Sequence, residues 1–463
     1  MNKKPSDFLN NYLRFEPSKG QQRLFEHADQ FLLTEEYPVM LMRGYAGTGK
    51  TTVLGAIVNI LKYFDYRFVL LAPTGRAAKV MASYSDKKAY TIHKWIYRLV
   101  VDPDTGKAIF KKQKNYYKKA VFVVDEVSMI TNENNYGRAG LLDDLFKHVF
   151  EKPENGNKLL MVGDAAQLPP VGYLKSPALD KIYLESQFGH RVIDGELTEV
   201  VRQDADSGVL FNATHVRQLI ADQYNALNLN TKSYADVFRV DHARMEDGIR
   251  YAYDKVGSEN TILICRSNKS ANQYNQFIRR QIFFYEEEIE AGDVLMIAKN
   301  NYYWLDEDSP AGFLANGEFA EVTRVIDLEE KHGFRFARLG LQLVDYPDTA
   351  SFEAMVILDS LYTQAPALKQ EDNDRLYKSV AEEYGESDWK QLKNDPYLNA
   401  LQIKFSYALT CHKAQGGQWE IVFLDQGFIP GDDINEDFLR WLYTAITRST
   451  RELYFVNFND KFF

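Results

Sequence analysis

A glycine-rich loop constrains the fold of this chain more than any other stretch of its sequence. The loop reads Gly44-Tyr-Ala-Gly-Thr-Gly-Lys50-Thr51 and fits the pattern G-x-x-x-x-G-K-[ST]. An apolar run that ends at Leu41 and Met42 precedes it, and apolar residues with helical spacing follow it. The sequence therefore predicts that the glycines lie on a turn that leads from a strand into a helix.

A turn of this kind has the chemistry of a phosphate site, because its backbone N–H groups and the positive end of the helix can hold phosphate oxygens. Lys50 is predicted to reach the β- and γ-phosphates of a nucleotide, and the Thr51 hydroxyl is predicted to ligate Mg²⁺. The loop residues predicted to bind ATP are Gly44, Ala46, Gly47, Thr48, Gly49, Lys50, Thr51 and Thr52.

Length and composition limit the class of protein. A chain of 463 residues is too long for one core, and two to four domains are expected. No apolar run is long enough for a membrane span, and residues 1–17 lack the apolar core of a secretory signal. Cys265 and Cys411 are the only cysteines and form no zinc-binding pattern, so a reducing, cytoplasmic location is expected.

A basic stretch stands out against the net charge of −10. Residues 76–119 hold twelve Lys and Arg and three Asp, which leaves a local charge of +9. The stretch is either a solvated surface or a track for nucleic acid. Its alternating residues predict a hairpin with strands at 99–101 and 108–110 and a turn at 102–106.

Two further apolar strands end in polar residues that suit nucleotide hydrolysis. Asp125 and Glu126 follow the run Val121–Val124; Asp125 is predicted to hold the Mg²⁺ shell, and Glu126 to accept a proton from the attacking water. After the run at 158–162, Gln167 is predicted to sense the γ-phosphate.

Weaker signals lie outside these strands. Gln21 has the donors and the acceptor to pair with adenine, and Arg202 could face the γ-phosphate. Closely spaced short strands over 293–362 predict a small β-barrel, and a charged helical stretch at 370–394 is predicted as an insertion. Residues 402–410 lead into Cys411-His-Lys-Ala-Gln-Gly416, which begins a final series of strong signals.

The ordered motifs resemble a known family. They are Gln21, GYAGTGKTT, APTGRAA, TIHK, VVDEVSM, GDAAQLPPV, LTEVVRQ, LTCHKAQGGQ and LYTAITRS. The set resembles the superfamily 1 helicases, and within them the 1B branch of RecD-like and phage Dda-like enzymes.

The resemblance implies an α/β fold with two RecA-like P-loop domains, a β-hairpin insert and an SH3-like β-barrel insert. The implied ranges are 1–92 and 120–222 for domain 1A, 93–119 for insert 1B, 223–298 and 399–463 for domain 2A, and 299–398 for insert 2B.

The resemblance also implies roles for individual residues. The implied catalytic residues are Lys50, Glu126, Gln167, Arg202 and Arg448, of which Arg202 and Arg448 resemble arginine fingers. Gln21 and Gly416 join the phosphate loop as nucleotide contacts, and Thr51 and Asp125 hold the metal. The implied nucleic-acid contacts are Pro73, Thr74, His93, Lys94, Asn268, Thr410, His412 and Lys413.

The implied activity is that of an ATP-dependent DNA helicase that moves 5′→3′ on single-stranded DNA and unwinds duplex. In the family the 1B hairpin is a pin that splits the duplex, so the basic stretch would face DNA. The implied partners are single-stranded DNA and junctions of single- and double-stranded DNA, with replication or recombination proteins as further candidates. The chain is expected to act as a monomer, with no membrane involved.

Two alternatives stay open. The predicted hairpin turn carries no aromatic side chain, and the nearest is Phe110, so the chain is alternatively a single-strand DNA translocase that displaces proteins and unwinds little duplex. The second alternative is an inactive module that binds a nucleotide or a partner, and the intact catalytic positions count against it. No nuclease-type cluster of acids occurs in the sequence, so nuclease activity is not predicted.

Overall fold

The structure is a computed structural model of the whole chain. It describes residues 3–13, 16–101, 108–132, 140–200, 206–222, 227–305, 309, 313–346, 349–384, 391–392, 394–428 and 434–463. Among these residues no helix is long and apolar enough to cross a membrane.

Strands and helices alternate along most of the chain. The strands are β1 Val39–Gly44, β2 Arg67–Ala72, β3 Ala89–Thr91, β4 Tyr97–Val101, β5 Ala108–Lys112, β6 Ala120–Val124, β7 Lys158–Gly163, β8 Val192–Leu197, β9 Val237–Val240, β10 Thr261–Cys265, β11 Val294–Ile297, β12 Phe319–Lys331, β13 Phe334–Leu343, β14 Phe352–Ile357, β15 Leu401–Phe405, β16 Ala408–Thr410, β17 Trp419–Asp425 and β18 Ser449–Val456. The α-helices are α1 Pro5–Tyr12, α2 Lys19–Leu33, α3 Lys50–Ile60, α4 Gly75–Ser85, α5 Ile92–Ile96, α6 Leu141–Val149, α7 Lys181–Phe188, α8 Gly208–Asp222, α9 Met245–Val256, α10 Asn268–Phe277, α11 Asp359–Tyr362, α12 Gln370–Ala381, α13 Cys411–Ala414 and α14 Glu436–Ile446.

Six parallel strands form the first sheet, in the order β3-β2-β6-β7-β1-β8. Every residue of β6 and β7 is buried, which is why both strands read as uninterrupted apolar runs. The phosphate loop joins β1 to α3, whose Val53, Leu54 and Ile57 pack into the core on one face of this sheet. The predicted turn from a strand into a helix is confirmed.

A second sheet of five parallel strands has the order β16-β10-β17-β18-β9. Helices α8 and α14 pack against it, with Val216 and Leu442 fully buried in a shared apolar cluster. The predicted α/β class with two parallel sheets is therefore confirmed.

A closed barrel is made by β11, β12, β13, β14 and β15, so the predicted small barrel is confirmed. The strands expected within 293–362 were short, but β13 runs unbroken over Phe334–Leu343. Strand β13 stays paired with β12 along its length, and the pairing register shifts next to Arg324 and Asp327 of β12.

Residues 402–410 do not form one continuous strand. The segment divides into β15, which closes the barrel, and β16, which belongs to the second sheet, with only Ser406 and Tyr407 between them. Asn275 of α10 holds this connection: its amide nitrogen donates to the carbonyls of Phe405 at 3.1 Å and Ala408 at 3.0 Å. Its amide oxygen accepts from the Ala408 N–H at 2.7 Å.

The predicted hairpin is present as the antiparallel pair of β4 and β5. Its predicted turn at 102–106 lies outside the described residues.

The division into domains 1A, 1B, 2A and 2B stays a proposal. Helix α8, expected with the first sheet, buries its apolar face in the cluster of the second sheet. The barrel strands β11 and β15 lie outside the range 299–398 expected for insert 2B. These contacts favour moving the 1A/2A boundary to precede α8 and widening 2B to include both strands.

Candidate nucleotide site and nucleic-acid edge

A cleft of about 430 Å³ opens between the two sheets above the phosphate loop. Its lining combines the loop, the acids after β6 and Gln167 with residues that precede or begin β18 of the second sheet. Predicted site residues that line it are Ala46, Gly47, Gly49, Lys50, Thr51, Thr52, Asp125, Glu126, Gln167, Gly416 and Arg448.

Lys50 is fixed inside this cleft. Its Nζ donates to the carbonyl of Tyr45 at 2.9 Å and lies 3.7 Å from Oδ2 of the buried Asp164. Gly47 and Gly49 have φ values of 76° and 84°, which glycine adopts without strain. A Cβ on Gly49 would lie 2.7 Å from Nε2 of Gln21, so the loop also needs glycine for space.

The acid pair after β6 lies at the base of the cleft. Asp125 accepts hydrogen bonds from the Tyr84 hydroxyl at 2.7 Å and from the Glu126 amide at 2.8 Å. Burial raises the pKa of Glu126, and the positive charge of Arg448 partly opposes that rise. Glu126 has φ 53°, a left-handed conformation that costs a non-glycine residue about 1–3 kcal/mol. Such strain persists mainly at functional positions.

The loop after β7 links the two sheets. Asp164 accepts from the Tyr443 hydroxyl at 2.7 Å, and the Leu168 N–H donates to Oγ1 of Thr444 at 2.8 Å. Nε2 of Gln415 donates to the Leu168 carbonyl at 2.8 Å. Gln167 lies between these tethers, and its buried Oε1 has no hydrogen-bond partner among the described residues. A water at the γ-phosphate would satisfy that acceptor.

Arg448 extends from the end of α14 into the same cleft. The side chain is 3% exposed, and its three nitrogens donate to the Thr444 carbonyl at 3.0 Å, the Gly417 carbonyl at 3.1 Å and Oγ1 of Thr447 at 3.2 Å. None of these acceptors is a carboxylate. The guanidinium therefore keeps its full charge available to the cleft.

Three predicted nucleotide-site residues within the described part of the chain do not line the cleft. Gly44 and Thr48 support the loop from beneath; Thr48 is buried and donates to the Tyr45 carbonyl at 2.8 Å. Gln21 is fully buried: its Oε1 accepts from the Ser18 N–H at 3.1 Å, and its Nε2 lies 3.5 Å from the Thr48 carbonyl. Its contact with adenine stays a prediction. Arg202 lies outside the described residues.

The predicted nucleic-acid contacts lie at or after the carboxyl ends of the two outermost strands on one side of each sheet. Pro73 and Thr74 follow β2, and His93 and Lys94 lie on α5 after β3, at one edge of the first sheet. On the second sheet, β10 and β16 form the corresponding edge. The residues on or after these two strands are Asn268, Thr410, His412 and Lys413.

These two edges meet. A Cβ on Gly416 would lie 3.1 Å from Oγ1 of Thr74, and Oγ1 of Thr74 itself caps α4 by accepting from the Ala77 N–H at 3.2 Å. Lys413 donates to Oδ1 of Asn316, next to the barrel, at 2.5 Å. The two edges therefore meet at Thr74 and Gly416, beside the nucleotide cleft that Gly416 also lines.

Sequence reasoning missed several residues of the site. Asp164 directly follows β7 as Asp125 follows β6, and that shared position was the available signal. Tyr443 and Thr444 lie within the motif LYTAITRS, but no pattern in the sequence shows that they contact the loop after β7.

Full-length relatives resemble this chain. "ATP-dependent DNA helicase dda" of Enterobacteria phage T4 is 25% identical over 95% of this chain and 99% of its own length. "Uncharacterized protein R530" of Acanthamoeba polyphaga mimivirus is 24% identical over 92% of this chain and 97% of its own length. A crystal structure of the Bacteroides Pif1 helicase in complex with ADP-AlF3 and ssDNA has a TM-score of 0.47 at 17% identity, covering 96% of this chain and 94% of that one.

The phosphate loop, the acid pair and an arginine contributed by a second parallel sheet define a P-loop ATPase with a site shared by two sheets. Residues 16–229 match the family model of an AAA domain, and residues 405–456 match that of a UvrD-like helicase C-terminal domain. The chain is similar along most of its length to helicases of superfamily 1B, the branch of RecD-like and phage Dda-like proteins.

Proposed function

We propose that this chain is an ATP-dependent DNA helicase that moves 5′→3′ along single-stranded DNA and unwinds duplex. One observation carries the proposal most directly: Arg448 of the second sheet lines the same cleft as Lys50 and Glu126 of the first. Hydrolysis then depends on the relative position of the two sheets. The edge formed by Thr74 and Thr410 spans the same two sheets, so a change in the cleft changes the grip on a strand lying along that edge.

The catalytic steps follow from the arrangement of side chains. Lys50 and the N–H groups of the phosphate loop hold the β- and γ-phosphates. Glu126, with a pKa raised by burial, accepts a proton from the water that attacks the γ-phosphate. Arg448 stabilises the charge that develops on the transferred group, a role worth about 10³–10⁵ in rate in such enzymes.

The residues at the cleft also fit a magnesium ion. The Thr51 hydroxyl and the Asp125 carboxylate are oxygen donors in one cleft, and Mg²⁺ in phosphate sites takes few protein ligands besides the nucleotide. When bound, Mg²⁺ neutralises charge on the β- and γ-phosphate oxygens. Tyr84 and the Glu126 amide orient Asp125 for this role.

The loop after β7 couples the nucleotide to the second sheet. Gln167 is placed to respond to the γ-phosphate, and Thr444 and Tyr443 bond the residues on either side of it. A shift of Gln167 is therefore passed to α14, which bears Thr444 near its end. The single-stranded DNA on the joined edge would be released and regripped in step with this shift.

Partners and location belong to the same proposal. The substrates are single-stranded DNA and junctions of single- and double-stranded DNA, and the active form is a monomer. Replication or recombination proteins are candidate partners. The cytoplasmic location rests on Cys265 and Cys411, both of which are buried free thiols.

A strand-displacement assay tests the function and its polarity. The substrates are one duplex with a 5′ single-stranded tail and the same duplex with a 3′ tail, each offered with ATP and Mg²⁺, in DNA and in RNA versions. We expect displacement from the 5′-tailed DNA duplex, and none with Lys50→Ala. Displacement from 3′ tails alone would overturn the polarity.

A single-strand translocase that displaces proteins is the alternative function. The predicted hairpin turn contains no aromatic residue, which favours weak duplex separation. ATPase activity stimulated by single strands, together with removal of a bound protein block and no displacement of either duplex, would favour this alternative.

A further inference from the structure

A second groove with a different lining lies at the foot of the β4–β5 hairpin. It has a volume of about 660 Å³ and runs between α5 and the residues that follow β5. We name it the basic groove, because five cationic side chains and no carboxylate of the described residues line it. The cations are Lys94, Arg98, Lys111, Lys112 and Lys114.

Most of the charge in the basic groove is uncompensated. Lys112 pairs with Asp144 at 2.8 Å, and Asp144 also accepts from the Tyr97 hydroxyl at 2.6 Å. No described carboxylate lies within ion-pair distance of Arg98, Lys111 or Lys114. Like charges held this close together repel, so an anionic ligand in the groove would be stabilised by all of them.

Aromatic rings make up much of the remaining lining. Trp95 lies 5.1 Å from the ring of Tyr90 and 5.6 Å from the ring of Tyr117, measured between centroids. Tyr116, by contrast, is 82% exposed. The groove therefore offers a packed aromatic wall and one open ring.

The backbone beneath Tyr116 is rigid although its side chain is exposed. Asn115 is buried: its amide nitrogen donates to the His148 carbonyl at 3.0 Å, and its backbone N–H donates to Oε2 of Glu151 at 2.9 Å. The Tyr117 N–H donates to Oδ1 of Asn115 at 2.9 Å. Tyr116 is thus held ready for a partner, which lowers the entropy lost when a ligand binds.

A single polynucleotide strand fits this combination. Proteins bind single strands by pairing phosphates with cations and stacking bases on aromatic rings. Of the residues expected to contact the strand along which the enzyme moves, only Lys94 lines the basic groove. His93, its neighbour on α5, does not line it, and neither does any expected contact on the second sheet. The groove lies instead beside the hairpin, where two strands would part.

We propose that the basic groove binds the strand displaced from the duplex, with Arg98, Lys111 and Lys114 pairing with its phosphates and Tyr116 stacking on a base. This inference rests on the proposed helicase function. It adds a second DNA site to the edge that the two sheets form.

Binding to two DNA substrates tests the inference. One is a duplex with a 5′ tail; the other is a fork that carries an additional 3′ arm on the complementary strand. We expect the intact chain to bind the fork more tightly, by about 5- to 150-fold for one stacked base. Tyr116→Ala and the double variant Lys111→Glu/Lys114→Glu should bring the ratio of the two dissociation constants close to one. ATPase activity stimulated by a single-stranded oligonucleotide should stay unchanged in both variants.

A matched control uses the same basic stretch. Lys87 and Lys88 are exposed and lie outside the basic groove, so Lys87→Glu/Lys88→Glu should keep the preference for the fork. Groove variants that leave the ratio of the two dissociation constants unchanged would overturn the proposal. If both affinities also fell equally, the groove would hold the strand along which the enzyme moves. Failure of the proposed function would appear separately, as an intact chain whose ATPase does not respond to single-stranded DNA.

Photo-crosslinking locates the strand directly. 5-Iododeoxyuridine is placed at the first unpaired positions of the 3′ arm in one fork and of the 5′ arm in another. We expect an adduct on residues 115–118, which trypsin releases as the peptide NYYK, from the 3′ arm only. An adduct at this peptide from the 5′ arm alone would contradict the proposal.

Discussion

The Tyr443 hydroxyl accepts a hydrogen bond from the Ala46 amide at 2.8 Å, although 397 residues separate them. The same hydroxyl donates to Oδ2 of Asp164 at 2.7 Å. Burial and the Asp164 charge raise the pKa of Tyr443, so the hydroxyl stays protonated and can keep donating. A helix of the second sheet thus occupies an N–H group of the phosphate loop.

Tyr443→Phe should strengthen ADP binding, because it releases the Ala46 N–H for a phosphate oxygen. A typical net hydrogen bond predicts a decrease in Kd of about 2- to 12-fold. Fluorescence titration with a labelled ADP measures the change. Tyr45→Phe is the matched control, since its hydroxyl pairs with Glu196 at 3.0 Å rather than with the loop. Weaker ADP binding by Tyr443→Phe would mean that the hydroxyl supports the nucleotide.

Glu126→Gln should abolish turnover and spare nucleotide binding. The amide keeps the size of the side chain and can adopt the same left-handed backbone, but it cannot take a proton from water. We expect kcat to fall by about 10²–10⁴, with the Kd for ATP within about threefold of its original value. The exposed Glu382→Gln serves as a control. Turnover that survives in Glu126→Gln would remove this residue from the role of general base.

Thr444→Val should weaken the stimulation of ATPase activity by DNA. The change removes the acceptor of the Leu168 N–H and leaves that buried donor unsatisfied, at a cost of about 1–3 kcal/mol. Stimulation by a single-stranded oligonucleotide should fall by about 5- to 100-fold, while activity without DNA changes little. Thr444→Ser keeps the hydroxyl and should behave like the original chain; equal effects of the two substitutions would exclude this hydrogen bond as the coupling.

Glu318 should make stability depend on pH. The side chain is 3% exposed at the start of β12, and burial raises its pKa from an ordinary value near 4.5 to about 8. Between these two values the folded state binds more protons than the unfolded state, so the free energy of unfolding falls as pH rises. Glu318→Gln still accepts from the Ala315 N–H and should remove this loss.

Urea unfolding at pH 5.5 and pH 8.5 measures the effect of Glu318. The substitution should stabilise the chain at pH 8.5 by an amount on the order of 1–4 kcal/mol and by a smaller amount at pH 5.5. Glu321→Gln on the same strand is exposed and provides the control. Equal unfolding midpoints for Glu318→Gln and the original chain at pH 8.5 would show that folding does not raise the pKa of Glu318.

The central strands of the first sheet are predictable from sequence because their residues are buried on both faces. β6 and β7 therefore read as apolar runs, and the polar residues after them identify Asp125, Glu126 and Gln167. The split of 402–410 is not predictable in this way. The apolar pattern continues through it while the pairing changes from β11 and β14 to β10.

Contacts between the sheets leave no local pattern in the sequence. Tyr443 is a buried aromatic on an amphipathic helix, which ordinarily indicates core packing, and its partner Ala46 is distant in the chain. For Gln21, the sequence predicts a contact, whereas in the structure the side chain is already bonded within the chain. Its motif position implies a base contact, but the capping box of α2 and the Thr48 carbonyl already engage its amide.

The two-residue connection between β15 and β16 makes the barrel a lever attached to the second sheet. β12 has 13 residues, so at about 3.3 Å per residue the lever extends up to about 43 Å. A rotation of the second sheet would therefore carry the far end of β12 with it. The length of β12 would then set how far its far end moves for a given closure of the cleft. That distance could change without any change to the residues that hydrolyse ATP.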